Sequence, residues 1–144
     1  MSAAWPVVAA HLVALFDAGT EAPVFDGPPV TSAAPPDYVT VGYVEDDTAG
    51  TYFVEAVYDG SISQETGTVV SQIVCQSGDT DVAACRTRAF AIEQQLRDAV
   101  KADHTLGVLS PDGTSTLTTD VQVVQNANGS AVSLILTYGY TTTY

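Results

Sequence analysis

Residues 82–102, VAACRTRAFAIEQQLRDAVKA, decide the reading of the fold. Within them Cys85, Ala89, Ile92, Leu96 and Ala99 recur at spacings of four, three, four and three, which places all five on one face of an α-helix. Asp79 or Thr80 is expected to cap this helix, with Asp81 in its first turn complementing the positive end of the helix dipole and Ala102 near its end. Twenty-odd residues at ~1.5 Å each span roughly 30–35 Å, enough to cross a sheet. A single apolar stripe of that length calls for a sheet to lie against.

The strands sit on either side of it. Downstream, Ser110, Pro111, Asp112 and Gly113 read as a turn, and Leu117–Gln125 and Ala131–Tyr140 as a hairpin around Asn128 and Gly129, the strongest short hairpin signal. Val132, Leu134, Leu136, Tyr138 and Tyr140 share one face of its last strand. Upstream, Thr68–Gln76 reads as a strand, preceded by a loop over Gly60–Gly67, while Tyr38–Val44 and Thr51–Asp59 read as a hairpin around an acidic connection. Glu21–Asp37 holds five prolines and is expected to cross the surface as an extended connection. Before it, Pro6 stands at a first-turn position and Val8, Leu12, Leu15 and Phe16 follow at helical spacing, giving a helix over Ala4–Ala18. The order predicts an α+β fold: an antiparallel β-sheet covered by a long helix, with an additional N-terminal helix, in a single domain over residues 1–144.

Composition sets the function classes. With 46% hydrophobic and 15% charged residues, the 144-residue chain is that of a folded protein with one core. Seventeen acids against four bases give a net charge of −13, which repels phosphate and argues against tight nucleic-acid binding. There is no polybasic segment for an anionic membrane, and the apolar run Val7–Phe16 is too short to span one. Met1–Pro6 carries no cation and no convincing cleavage site follows, so export is not expected. Low Lys with abundant Asp, Thr, Ala and Val fits either a GC-rich genome or a salty cytoplasm.

Catalytic chemistry finds no pattern to rest on. His11 and His104 lack an acid/base or metal-ligand spacing, and no phosphate loop, Cys-x-x-Cys or nucleophile elbow is present. Enzyme activity is not expected, nor a cofactor or metal. Cys75 and Cys85 read as free, buried thiols before they read as a disulfide or half a metal site. Glu45, Asp46 and Asp47 offer carboxylates without the alternating ligand spacing of a calcium loop, and read as a solvated loop.

The distribution of charge is more informative. Arg86, Arg88, Arg97 and Lys101 are all the bases, and all fall on this long helix; fifteen acids lie outside Arg86–Lys101 with no cation among them. Two copies can attract each other electrostatically only by presenting this helix to an acidic face, so these four residues are the candidate subunit interface. The alternative is local: Glu93 pairing with Arg97 at i, i+4, worth a few tenths of a kcal/mol.

This layout resembles the tail terminator (tail completion) proteins of long-tailed, siphophage-type viruses. The similarity runs over nearly the whole chain: an amphipathic N-terminal helix, a Pro-rich crossing, a strand pair with an acidic loop, the strand Val69–Cys75, the acidic cap Gly78–Asp81, the helix Val82–Val100 and a closing hairpin. It is a match of pattern, with no short signature. The resemblance implies a homo-oligomeric ring, typically a hexamer, in the virion tail and assembled in the host cytoplasm. Such a ring caps the head-proximal end of the tail tube, ends tube polymerisation and joins tail to neck. Its partners would be the tail tube protein and a neck or head-completion protein, with genomic DNA passing through the lumen unbound and no membrane involved. The candidate tube-docking loops are Glu45, Asp46 and Asp47 in one connection and Ser61, Ser63 and Glu65 in the next. The alternatives are a neck adaptor or minor tail protein, or an acidic non-viral ligand-binding domain.

Overall fold

The computed structural model describes residues 4–29, 37–44, 52–60, 62–77, 81–126 and 129–143. In chain order the elements are α1 (Trp5–Gly19), β1 (Val24–Asp26), β2 (Asp37–Val41), β3 (Tyr52–Asp59), β4 (Ile62–Ser77), α2 (Val82–Ala102), β5 (Thr114–Asn126) and β6 (Gly129–Thr143). They form a mixed α+β fold with one six-stranded sheet, ordered β1-β2-β4-β6-β5, with β3 also paired to β4. Among the described residues all pairings are antiparallel except β1 with β2.

The closing hairpin forms and is longer than expected, β6 alternating buried and half-exposed residues without a break from Gly129 to Thr143; of the expected turn residues, Asn128 lies outside the described residues and Gly129 is the first residue of β6, paired with Asn126. Upstream the pairing differs from expectation. The Tyr38 and Thr51 strands do not form a hairpin with each other: β2 pairs with the second half of β4 (Asp37 opposite Cys75) and β3 with its first half (Tyr52 opposite Val69). The expected loop Gly60–Gly67 is instead a tight turn at Gly60, whose φ of 62° suits glycine, followed by the start of β4. The Pro-rich stretch contributes β1, which pairs parallel to β2 and adds an edge the sequence reading lacked.

Both helices lie on one layer of the sheet. Val8, Leu12 and Phe16 of α1 and Cys85, Ala89, Ile92, Leu96 and Val100 of α2 meet Val39, Val69, Ile73, Leu134, Leu136 and Tyr138 in the core. The expected cover by one long helix holds in part: α2 packs on β4, β6 and β5, and α1 shares the layer by packing on β1, β2 and β4. Residues 55–58 of β3 and Val121 and Val123 of β5 remain exposed at the two margins. The start of α2 is also corrected: Asp81, not Asp79 or Thr80, is the N-cap, its Oδ1 accepting from Ala84 N at 3.0 Å.

Among the described residues the other layer carries no helix. Its residues Gln64, Thr66, Thr68, Thr137, Thr141, Thr114, Thr116 and Thr118 on β4, β6 and β5 are exposed or half-exposed, whereas Tyr38 and Thr40 of β2 and Gln72 and Val74 of β4 on the same layer are buried.

Candidate functional site

The four cations of α2 divide into two kinds. Arg88 is committed within the chain: Nε and Nη2 donate to the Asp37 carboxylate at 2.9 and 3.2 Å, and Nη2 also reaches Gln76 O at 2.9 Å, tying α2 to β2 and β4. The hydrogen bond to Asp37 raises the guanidinium above its ordinary value. Arg97 is committed too. Its Nε donates to Glu93 Oε1 at 2.6 Å and its Nη2 to Thr119 Oγ1 at 2.9 Å, so the i, i+4 pair of the local alternative is formed and extends to β5. Glu93 is only 6% exposed and needs these donors. Arg86 and Lys101 are exposed.

Helical geometry then relates them. Arg86, Phe90, Arg97 and Lys101 lie within about 40° of one direction, and Arg97 marks that direction as the one facing β5. Alongside stand Val121 and Val123, which point to the helix-side layer yet are 50% and 51% exposed, and Phe90, also exposed. The β5 margin thus combines exposed cations with exposed apolar side chains. At the opposite margin, Tyr58 of β3 points to the same layer and is 73% exposed.

The expected docking residues fare differently. Glu45, Asp46, Asp47 and Ser61 lie outside the described residues. Ser63 is half-exposed within β4, not in a loop. Glu65 is corrected outright: at 1% exposure it faces the interior, accepting Tyr140 Oη at 2.6 Å and Ala4 N at 3.0 and 3.1 Å. Its carboxylate takes the place of the side-chain cap that Ala4 cannot give α1, at the positive end of the helix. Trp5 Nε1 fixes the same end to Thr68 O at 2.6 Å.

No protein-family model matches the chain, and no curated protein does. Among solved structures, a chain of the virion of a native gene transfer agent particle aligns over 90% of this chain and 83% of that one, at 17% identity and a TM-score of 0.36.

A groove of about 480 Å³ opens between the end of α1 and α2, lined by Thr20, Ala22, Pro23, Ile92 and Gln95 beside the Arg88–Asp37 pair. Cys75 and Cys85 are buried and free. Burial, then the neighbouring Asp37 carboxylate, pushes the Cys75 thiol up to about 12, which makes it a poor nucleophile. Among the described residues no group of three or more His, Cys, Asp or Glu stands where it could hold a metal ion, and no helix is long and apolar enough to cross a membrane. His11 is exposed on α1, and His104 uses its backbone oxygen to accept Tyr138 Oη at 2.6 Å.

Sequence reasoning missed the exposed valines of β5 and Tyr58 of β3. In a strand, apolar residues two apart read as core, and only the reach of the helices decides which of them are covered.

Proposed function

We propose that this is a structural virion protein whose copies close into a ring, a hexamer, that caps the head-proximal end of a viral tail tube, ends tube polymerisation and joins tail to neck. The observation that carries the reading is that all four cations and the exposed Tyr58, Phe90, Val121 and Val123 lie on or beside the helix-bearing layer, while the exposed part of the opposite layer on β4, β6 and β5 is rich in hydroxyls and holds no cation. A subunit built this way has adhesive margins for its neighbours. It also has a broad uncharged-to-acidic face past which DNA slides without sticking, because phosphate finds no cation to release its counterions. The order of elements, which resembles tail terminators, supports the viral context.

Tail assembly with and without the protein tests it. Electron microscopy is expected to show tubes of uncontrolled length without heads when the protein is left out, and normal tails joined to heads when it is restored. Normal tails in its absence would overturn the reading. Replacing Glu45, Asp46 and Asp47 by Ser is expected to leave the fold intact and to loosen tail-length control.

A further inference from the structure

We infer that copies of this chain join edge to edge, β1 of one copy lying as an antiparallel strand beside β5 of the next, with Val24 opposite Val121 and Asp26 opposite Thr119. The inference rests on the self-association in the proposed function and not on its tail role.

Among the described residues the sheet ends on one side in β1, which pairs with β2 alone, and on the other in β5, which pairs with β6 alone. Over 13 residues β5 contains one charge, Asp120, and no Pro, Lys or Gly, so little in it blocks a further strand. β1 runs parallel to β2, β2 antiparallel to β4, and β4 and β5 both antiparallel to β6, so β1 and β5 point opposite ways. A ring whose axis lies along the strands turns each copy without raising or inverting it. Neighbours then meet in the antiparallel sense, and only through groups at one height.

The registers give that height. Val24, Val39, Ile73, Leu134 and Val121 form one row across the five strands, and Asp26, Val41, Ser71, Leu136 and Thr119 the row two residues away. The ends of each row stand level at opposite edges of the subunit. β3 does not reach this contact. It pairs directly with β4, one strand of about 4.8 Å inside β1, and its exposed Tyr58 is level with Ser63, about 33 Å along the strand from Ile73.

Backbone hydrogen bonding selects the same register. Val39 N donates to Pro23 O at 2.8 Å and Gly27 N to Val41 O at 2.9 Å, so Pro23, Phe25 and Gly27 face β2, and the N–H and C=O of Val24 and Asp26 point away from the sheet. Val39 and Val41 thus face β1, leaving the even residues of β2 to β4, in phase with Gly42 N donating to Val70 O at 2.8 Å. Alternation through the registers turns Ser71, Ile73 and Cys75 to β6, Ser133 and Ile135 to β5, and Thr119, Val121 and Val123 outward. In both proposed pairs each residue therefore offers an outward donor and acceptor.

Side chains agree. Val24, Asp26, Thr119 and Val121 all project to the helix-bearing layer. Half-exposed Val24 covers Val121, which is 50% exposed on its own. Asp26 is exposed and arrives at Thr119, whose hydroxyl holds the partly exposed Arg97 guanidinium, so a carboxylate meets a cation. The competing arrangement, β5 against β5 about a two-fold axis, is disfavoured: Asp120 is the midpoint of Thr114–Asn126, so a full pairing sets Asp120 opposite Asp120. An unlike pairing also continues from copy to copy, as a ring requires, whereas a two-fold pairing stops at a dimer.

Cross-linking tests this. A chain carrying Val24→Cys and Val121→Cys, treated with a short bismaleimide, is expected to give a ladder of covalent oligomers on a denaturing gel, because each copy links its β1 to the next copy's β5. Cys75 and Cys85 are buried and are expected to stay silent. Within one chain the two positions lie four strand spacings, about 19 Å, apart, and the same position in neighbouring copies five spacings, about 24 Å, apart. Neither single variant is therefore expected to cross-link, and covalent dimers from one of them would overturn the unlike pairing. A chain with Tyr58→Cys and Val121→Cys is expected to give no ladder; a ladder there would overturn the register. Native mass spectrometry of the wild type separates the failures. An oligomer without a ladder from the Val24→Cys, Val121→Cys chain overturns the pairing and leaves the ring standing, whereas a monomer overturns both. Should the Val24 change cost the fold by circular dichroism, Asp26→Cys with Val121→Cys, diagonal neighbours in the same register, takes its place with the same expectations.

Discussion

Tyr140 donates its phenol hydrogen to Glu65 Oε2 at 2.6 Å across the backbone of Gly67, joining β6 to β4 in the interior. Because the same carboxylate holds the N–H of Ala4, the N-cap of α1, one buried acid links a strand, its neighbour and a helix terminus. A Cβ on Gly67 would stand 2.5 Å from the Tyr140 hydroxyl, so only glycine leaves room for the ring to lie there.

Tyr140→Phe is expected to cost about 1–3 kcal/mol, because it leaves a buried carboxylate short of a donor. Gly67→Ala is expected to cost a similar ~1–3 kcal/mol by displacing the same ring. Urea unfolding followed by circular dichroism measures both; a change under half a kcal/mol in each would mean that the carboxylate is satisfied without Tyr140.

Leu96 is fully buried in the α2 stripe against the sheet. Leu96→Ala is expected to cost about 2–5 kcal/mol, the range for a large cavity in a packed core. Thermal and urea denaturation of the variant check it.

Arg97→Ala is expected to lower stability by about 1–2 kcal/mol. The value is held down because the Arg97 side chain is 40% exposed, and held above that of a surface pair because Glu93 is buried. Arg97→Glu adds repulsion at i, i+4 and is expected to be worse. Loss of assembly in an Arg97 variant therefore reports in part on the subunit's own fold, whereas Arg86→Glu with Lys101→Glu is expected to weaken association at unchanged unfolding midpoint. Rising salt should weaken the wild-type assembly in the same direction, since exposed charges are screened beyond ~10 Å at 0.1 M.

Cys75 ionises near 12 in the fold against 9.0 ordinarily. Its proton is retained in the folded state over a range where the unfolded chain has lost it, so its contribution to stability is whole below pH 9 and declines as pH rises from 9 to 12. A disulfide-exchange reagent at pH 8 is expected to label neither cysteine in the native protein and both in denaturant. Rapid native labelling would show that the thiols are accessible.

Local periodicity determined what could be read without tertiary contacts. The stripe from Cys85 to Leu96 specifies α2, the alternation from Val132 to Tyr140 specifies the last strand, and Val8, Leu12 and Phe16 specify α1. Each is carried by apolar residues whose spacing matches one backbone geometry. Tertiary structure alone decided the fate of Gly60–Gly67. Ser63, Glu65 and Gly67 alternate with Gln64 and Thr66, polar on both faces, so no apolar signal announces a strand; burial comes from β3 and β6 on either side and from the donors of Ala4 and Tyr140. The same holds for the cations. Spacing allows Arg97 to meet Glu93, yet the pairing of Arg88 with Asp37, 51 residues away, depends on where β2 docks against β4. The β5 margin that carries the proposed contact follows the same rule, because whether Val121 and Val123 are core or surface is set by how far two helices extend over a sheet wider than they are.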